Sequence, residues 1–159
     1  MALTARYVHT NIVALDWRRL ASFYETVFGC EVVPPERHLA GEWLERATRL
    51  TGASIDGVHL RLPGVGDDGP TLEILQYGAP AIRPATTPNR PGLGHLAFAV
   101  DDVASALDAV RAAGGGVVGD IVTLPVPGAG RVTLVYARDP EGNILELQTW
   151  SDGDSAGGT

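Results

Sequence analysis

Between Arg6 and Leu15 apolar and polar residues alternate with period two, which predicts a strand with one buried face. Asp16 then stands as a helix N-cap, and Trp17, Leu20, Phe23, Tyr24, Val27 and Phe28 recur at helical spacing until Gly29 stops the run. Strands are predicted next at Cys30 to Val33, Val58 to Leu62 and Thr71 to Tyr77. The breaks between them are turns such as Pro63-Gly64 and Asp67-Asp68-Gly69-Pro70. Between the second and third of these strands, residues 41–50 carry Trp43, Leu44, Ala47 and Leu50 on one side and read as an inserted helix. The order is strand, helix, three strands.

Residues 78–91 are irregular and proline-rich, the composition of a linker, and after them the order begins again. A strand is predicted at Gly94 to Val100. Asp101 or Asp102 caps a helix with Val103, Ala106, Leu107 and Val110, which ends at Gly114-Gly115-Gly116. Strands follow at Val117 to Leu124, Arg131 to Tyr136 and Asn143 to Trp150. The chain is therefore a tandem repeat of one βαβββ unit, residues 6–77 and 92–150, within a single α+β domain spanning 1–159. Each unit has one helix to cover one face of its sheet, which leaves the other face open. Residues 151–159 hold only Gly, Ser, Asp, Ala and Thr, with nothing to bury, and are expected to form a disordered tail.

A length of 159 residues, 45% of them hydrophobic, suffices for one core without disulfides. The net charge of −7, with scattered basic residues, argues against nucleic acid. The N-terminus lacks a secretory pattern and no apolar run approaches membrane-spanning length, so a cytoplasmic protein is expected. Cys30 is the only cysteine and opens an apolar strand, which reads as a buried, inert thiol.

Sorting the first and last strand of each unit by period two separates two faces. Val8, Ile12, Leu72, Ile74, Leu96, Phe98, Val100, Leu145 and Leu147 make one face apolar, the face that the helices should cover. The opposite face carries His9, Asn11, Thr71, Glu73, Tyr77, His95, Glu146 and Gln148. His9 and His95 stand at equivalent points of the two copies, as do Glu73 and Glu146. The longer spacing in the first copy is about what the inserted helix adds. Two imidazoles and two carboxylates on one face are a ligand set for one divalent ion, Ni, Zn, Co, Mn or Fe, with coordination positions left open.

The chain resembles the vicinal oxygen chelate superfamily, which includes glyoxalase I, extradiol dioxygenases, methylmalonyl-CoA epimerase, and the fosfomycin and bleomycin resistance proteins. The resemblance runs from Tyr7 to Trp150. It is carried by Val8-His9-Thr10, the helix with Phe23-Tyr24 ending at Phe28-Gly29, Leu72-Glu73-Ile74-Leu75, Gly94-His95-Leu96-Ala97-Phe98, and the run from Arg138 to Leu147 containing Asp139-Pro140-Glu141-Gly142-Asn143. It implies curved mixed sheets around a metal-binding cup with the helices outside. His9, Glu73, His95 and Glu146 would be the metal ligands, and a small-molecule substrate would chelate through neighbouring oxygens. It also implies a homodimer, in which the ligands come from one chain or two.

Among family activities a glyoxalase-like lyase or isomerase is favoured, with Glu73 as the proton-abstracting base ahead of Glu146. The alternatives are an extradiol-type dioxygenase and an antibiotic-binding resistance protein. Val13 stands four residues after His9, where bacterial glyoxalase I has an arginine for the glutathione carboxylate. Asn11, Tyr77, Arg131 and Trp43 are candidate substrate contacts, and residues 37–50 form either a lid that Trp43 closes over the cup or ordinary packing. His38 and His59 are read as surface or internally satisfied histidines.

Overall fold

The computed structural model describes residues 3–151. The chain divides into two compact units, one ending at Arg83 and the other beginning at Pro84.

The first unit contains β1 (His9–Val13), α1 (Trp17–Phe28), β2 (Glu31–Ala40), α2 (Glu42–Thr48), β3 (Ser54–Arg61) and β4 (Thr71–Tyr77). Its sheet has the order β1-β4-β3-β2, with β1 parallel to β4 and the other pairs antiparallel. The start of α1 is fixed by two side chains. The Asp16 carboxylate accepts the Arg19 N–H at 3.0 Å, and Gln76 Oε1 accepts the Trp17 N–H at 3.1 Å. Gly29 ends the helix at φ +67°, a conformation that costs glycine nothing. The helix buries Trp17, Leu20, Ala21, Phe23 and Tyr24 and packs on β3 and β4, where Val58, Leu60, Leu72 and Ile74 are inaccessible to solvent. Burial of each large aliphatic side chain contributes about 1.5–3 kcal/mol.

Two elements of this unit outrun their predicted bounds. β2 continues past Val33 to Ala40, through Pro34 and Pro35. Those prolines fall where the register shifts between Val33 and Arg37 on an edge strand, so the ladder asks no N–H of them. β3 begins at Ser54 rather than Val58 and includes Gly57, a residue that argues locally against a strand. A Cβ at Gly57 would lie 2.1 Å from the Ile74 carbonyl oxygen, so the close approach of β4 demands glycine there. In contrast, Val8 precedes β1 and is exposed rather than part of the apolar face.

The second unit contains β5 (Leu96–Ala99), α3 (Val103–Ala112), β6 (Gly116–Val117), β7 (Val122–Val126), β8 (Gly130–Arg138) and β9 (Ile144–Ser151). The sheet order is β5-β9-β8-β6, with β7 also paired to β8. Asp102 is the N-cap of α3, its carboxylate accepting the Ser105 N–H at 2.7 Å. Val103, Leu107 and Val110 are buried, and the helix packs on β8 and β9, where Val135, Leu145 and Leu147 are fully covered. Leu96, Phe98 and Val100 are only half-buried. The single strand expected at Val117 to Leu124 is divided into β6 and β7, with Gly119-Asp120 between them. Ser151, placed by the sequence in the tail, belongs to β9. The rest of that tail, residues 152–159, lies outside the described residues. Among the described residues no helix is long and apolar enough to cross a membrane.

Candidate functional site

In the first unit the parallel pairing of β1 with β4 sets His9 beside Thr71 and Asn11 beside Glu73. The antiparallel pairing of β4 with β3 sets His59 opposite Glu73. Their side chains share one sheet face. His9 Nε2 lies 3.4 Å from Glu73 Oε2, and His59 Nε2 lies 3.1 Å from Glu73 Oε1. The Glu73 side chain is 16% exposed and that of His9 38%, so the acid sits in the floor of the strip and the imidazole at its lip. Burial holds the His59 imidazole below the usual histidine range, against the upward pull of Glu73; Arg37 and His9 push the same way as burial.

The far end of this strip is apolar. Leu44 of α2 is buried with Ile55 and Leu75, and Leu39, Ala53 and Tyr77 pack around them. Residues 41–50 thus close one end of the face with Leu44. Trp43 points elsewhere: it is exposed and lines a cavity of about 600 Å³ with Arg46, Ala47 and Arg49, and no histidine or glutamate contributes to it. Tyr77 is a packing residue of the apolar cluster. Asn11 donates from Nδ2 to the Glu73 carbonyl at 3.3 Å and so braces the strand that carries the acid.

The second unit repeats the arrangement. His95 directly precedes β5, and its Nε2 lies 3.0 Å from Glu146 Oε2. Glu146 faces Ala97 on β5 and Tyr136 on β8. The Tyr136 ring lies 5.3 Å from that of His95, much as His59 lies 5.4 Å from His9. Tyr136 and His59 are therefore equivalent positions of the two repeats. Arg131 is not brought to this group. It is exposed near the start of β8 and, by strand alternation, points to the face opposite Tyr136 and Glu146.

The turn before β9 explains why its sequence is so particular. Asp139, 2% exposed, accepts the N–H groups of Glu141 and Asn143, each at 2.9 Å, and the Asn143 side-chain amide at 2.6 Å. Gly142 turns the chain at φ +83°. This network fixes the turn that leads into β9, the strand that carries Glu146.

Of the expected ligands, the structure pairs His9 with Glu73 in one unit and His95 with Glu146 in the other. Among the described residues no three His, Cys, Asp or Glu side chains are clustered as metal ligands. The pairs nevertheless suit a shared cation. Donors bound to one ion at about 2.1 Å lie about 3.0 Å apart in octahedral and about 3.4 Å apart in tetrahedral coordination, which brackets the two observed separations.

His59, expected as a surface or internally satisfied histidine, is internally satisfied, bonded to Thr71 and Glu73. His38, by contrast, is a surface residue, 63% exposed and bonded to Asp56. Alternation along β3 would have put His59 on the Glu73 face once β3 was paired with β4.

Residues 6–147 match the model of the glyoxalase/bleomycin resistance protein/dioxygenase superfamily. A probable lactoylglutathione lyase from Vibrio parahaemolyticus is 27% identical over 145 residues, which cover 89% of this chain and 88% of that protein. A putative lactoylglutathione lyase from Brassica oleracea is 41% identical over 142 residues. These cover 89% of this chain and 43% of the plant protein, so the chain spans less than half of that relative. Among solved structures, a glyoxalase family protein from Bacillus cereus superposes with a TM-score of 0.71 at 22% identity, covering 94% of this chain and 95% of the other. The superposition speaks to the fold.

Proposed function

Because the chain belongs to the glyoxalase/bleomycin resistance protein/dioxygenase superfamily, we propose that it is a metal-dependent enzyme of glyoxalase type, moving a proton within a small molecule that bears neighbouring oxygens. The observation that carries this reading is the repeated imidazole–carboxylate pair, His9 with Glu73 and His95 with Glu146, at separations suited to a shared ion. All four would serve as ligands, and both relatives named as lactoylglutathione lyases point to the same chemistry. A bound divalent ion, Ni, Zn, Co, Mn or Fe, supplies Lewis acidity that polarises a carbonyl and makes the adjacent C–H bond more acidic.

Two imidazoles and Glu146 suffice to anchor such an ion, which frees Glu73 for proton transfer. Its carboxylate takes the proton from the activated carbon and returns it to the neighbouring one, a step worth on the order of a hundred- to ten-thousand-fold. The apolar plug of Leu44, Ile55 and Leu75 at one end of the strip keeps water from that side of the acid. Glutathione is not specified as the carrier. Val13, four residues after His9, is exposed and uncharged and offers no partner for a carboxylate.

The test is metal analysis of wild-type protein after loading with Zn, Ni, Co, Mn or Fe, followed by anaerobic assay with hemithioacetals of methylglyoxal and several thiols in deuterated water. About one ion per chain and solvent deuterium in the product are expected, with no oxygen consumed. Glu73→Gln should keep fold and metal and lose the deuterium exchange. Exchange at the wild-type rate would remove Glu73 as base. A wild type that takes up none of the metals would replace the enzyme with a metal-free binding protein.

A further inference from the structure

The two carboxylates of the proposed centre occupy equivalent places in the repeat, yet their surroundings differ in one residue. We infer that His59 is a positioning residue that holds Glu73 in a single orientation and sets it apart from Glu146, an inference that rests on the metal-dependent reading above.

The geometry begins with register. His59 on β3 lies directly opposite Glu73 on β4, and Arg61 lies opposite Thr71. The His59 ring spans from one β4 residue to the other, with Nδ1 2.8 Å from Thr71 Oγ1 and Nε2 3.1 Å from Glu73 Oε1. An ionised carboxylate only accepts, so the ring carries its hydrogen on Nε2 and donates it to Oε1. The Thr71 hydroxyl then donates to Nδ1. Both ends of the imidazole are satisfied, and its edge meets the His9 ring at an interplanar angle of 80°. At 16% exposure it has little room to turn.

The consequence for Glu73 is that its two oxygens have separate partners. Oε1 belongs to His59, and Oε2 faces His9 at 3.4 Å and is the one available to an ion. At the equivalent place in the second unit stands Tyr136, beside the His95 ring, and among the described residues it makes no hydrogen bond to Glu146. Glu146 therefore depends on His95 and the ion for its orientation. Glu73 has a fixed donor that remains when it is not bound to metal, as a ligand that also works as a base requires. Outer partners of this kind typically change metal affinity by 10- to 100-fold.

The experiment compares wild type, His59→Phe and His59→Gln by zinc titration against a chromophoric chelator, with circular dichroism to check the fold. Phenylalanine keeps a ring of similar shape but no donor, whereas glutamine places an N–H at nearly the reach of Nε2. His59→Phe should bind zinc 10- to 100-fold more weakly, and His59→Gln should recover most of that loss. Imidazole NMR of metal-free wild type should show His59 with its hydrogen on Nε2, a measurement that decides the matter should His59→Phe fail to fold. Folded His59→Phe binding zinc as tightly as wild type overturns the inference while leaving the metal site standing, and so does a hydrogen found on Nδ1. A wild type that binds no zinc or any other of the metals overturns the functional reading and this inference with it.

Discussion

At the scale of single residues, the environment of a side chain separates groups that composition alone treats alike. The four histidines divide this way: His9 and His95 each meet a glutamate, His59 bridges Thr71 and Glu73, and His38 pairs with Asp56 at the surface. Cys30 is the opposite case, a reactive group made inert. Burial, aided by the charge of Glu25, pushes its thiol up to about 11 from an ordinary value near 9. At pH 8 only about one thiol in a thousand is ionised, and reaction with a disulfide reagent should be slow and follow unfolding. Because the proton is held more tightly in the folded chain, stability should also fall as pH rises from about 9 towards 11. Rapid stoichiometric labelling of the folded protein at pH 8 would show that the thiol is accessible.

At the scale of elements, the inserted helix α2 is seated on its sheet by a single side chain. Its one buried residue, Leu44, is wedged against Ile55 and Leu75. Leu44→Ala should cost about 2–5 kcal/mol of stability by opening a cavity there. Thermal unfolding of this variant beside Trp43→Ala gives the contrast, since Trp43 is exposed and its loss should cost far less. Equal destabilisation would mean that Trp43, not Leu44, seats the helix. How much was legible in the sequence follows the same physics. β4 was read with its true ends, Thr71 and Tyr77, because its period-two pattern is clean and its flanks are Gly-Pro and Gly. β3 and β2 were read short because Gly57, Pro34 and Pro35 oppose a strand locally. Only the pairing, with Ile74 pressed on Gly57 and the prolines at a register shift, makes them strand residues. His59 falls within the predicted strand Val58 to Leu62, but only the pairing of that strand with β4 sets it opposite Glu73. His9, Glu73 and Glu146 were legible because each lies on a strand whose alternation is unambiguous, and His95 because it directly precedes β5 in step with that strand's alternation.

For the whole molecule, the exposed apolar residues matter more than the charge. β1 lies at one edge of its sheet, and Tyr7, Val8, Val13 and Leu15 along or beside it are all exposed. Among the described residues no strand pairs with the outer side of β1, and an edge flanked by such residues invites a second chain. A homodimer is the expected state, and light scattering after size exclusion should return twice the 16.7 kDa chain mass. A mass of one chain across the working concentration range would contradict it. The repeat itself was visible from the order of elements, whereas this edge was not, because Val8 satisfies the alternation of a buried face.

The Asp139 turn also bears on the order in which the second unit assembles. It closes a hairpin whose eight registered pairs zip outward from Arg138 and Ile144 at the turn to Arg131 and Ser151. Loop closure this short costs little entropy, whereas β5 must return across α3, β6, β7 and β8 to pair with β9. The hairpin should therefore form in the folding transition state and β5 should dock afterwards. Asp139→Ala, which removes the acceptor of three N–H groups, should slow refolding nearly in proportion to the stability it costs, with a φ-value of about 0.5–0.8. Phe98→Ala on β5 should mainly speed unfolding. Stopped-flow measurements giving the reverse pattern would place the parallel pairing first. In the expected order, Glu146 is already mounted when His95 arrives, so the acid is in place before its imidazole partner.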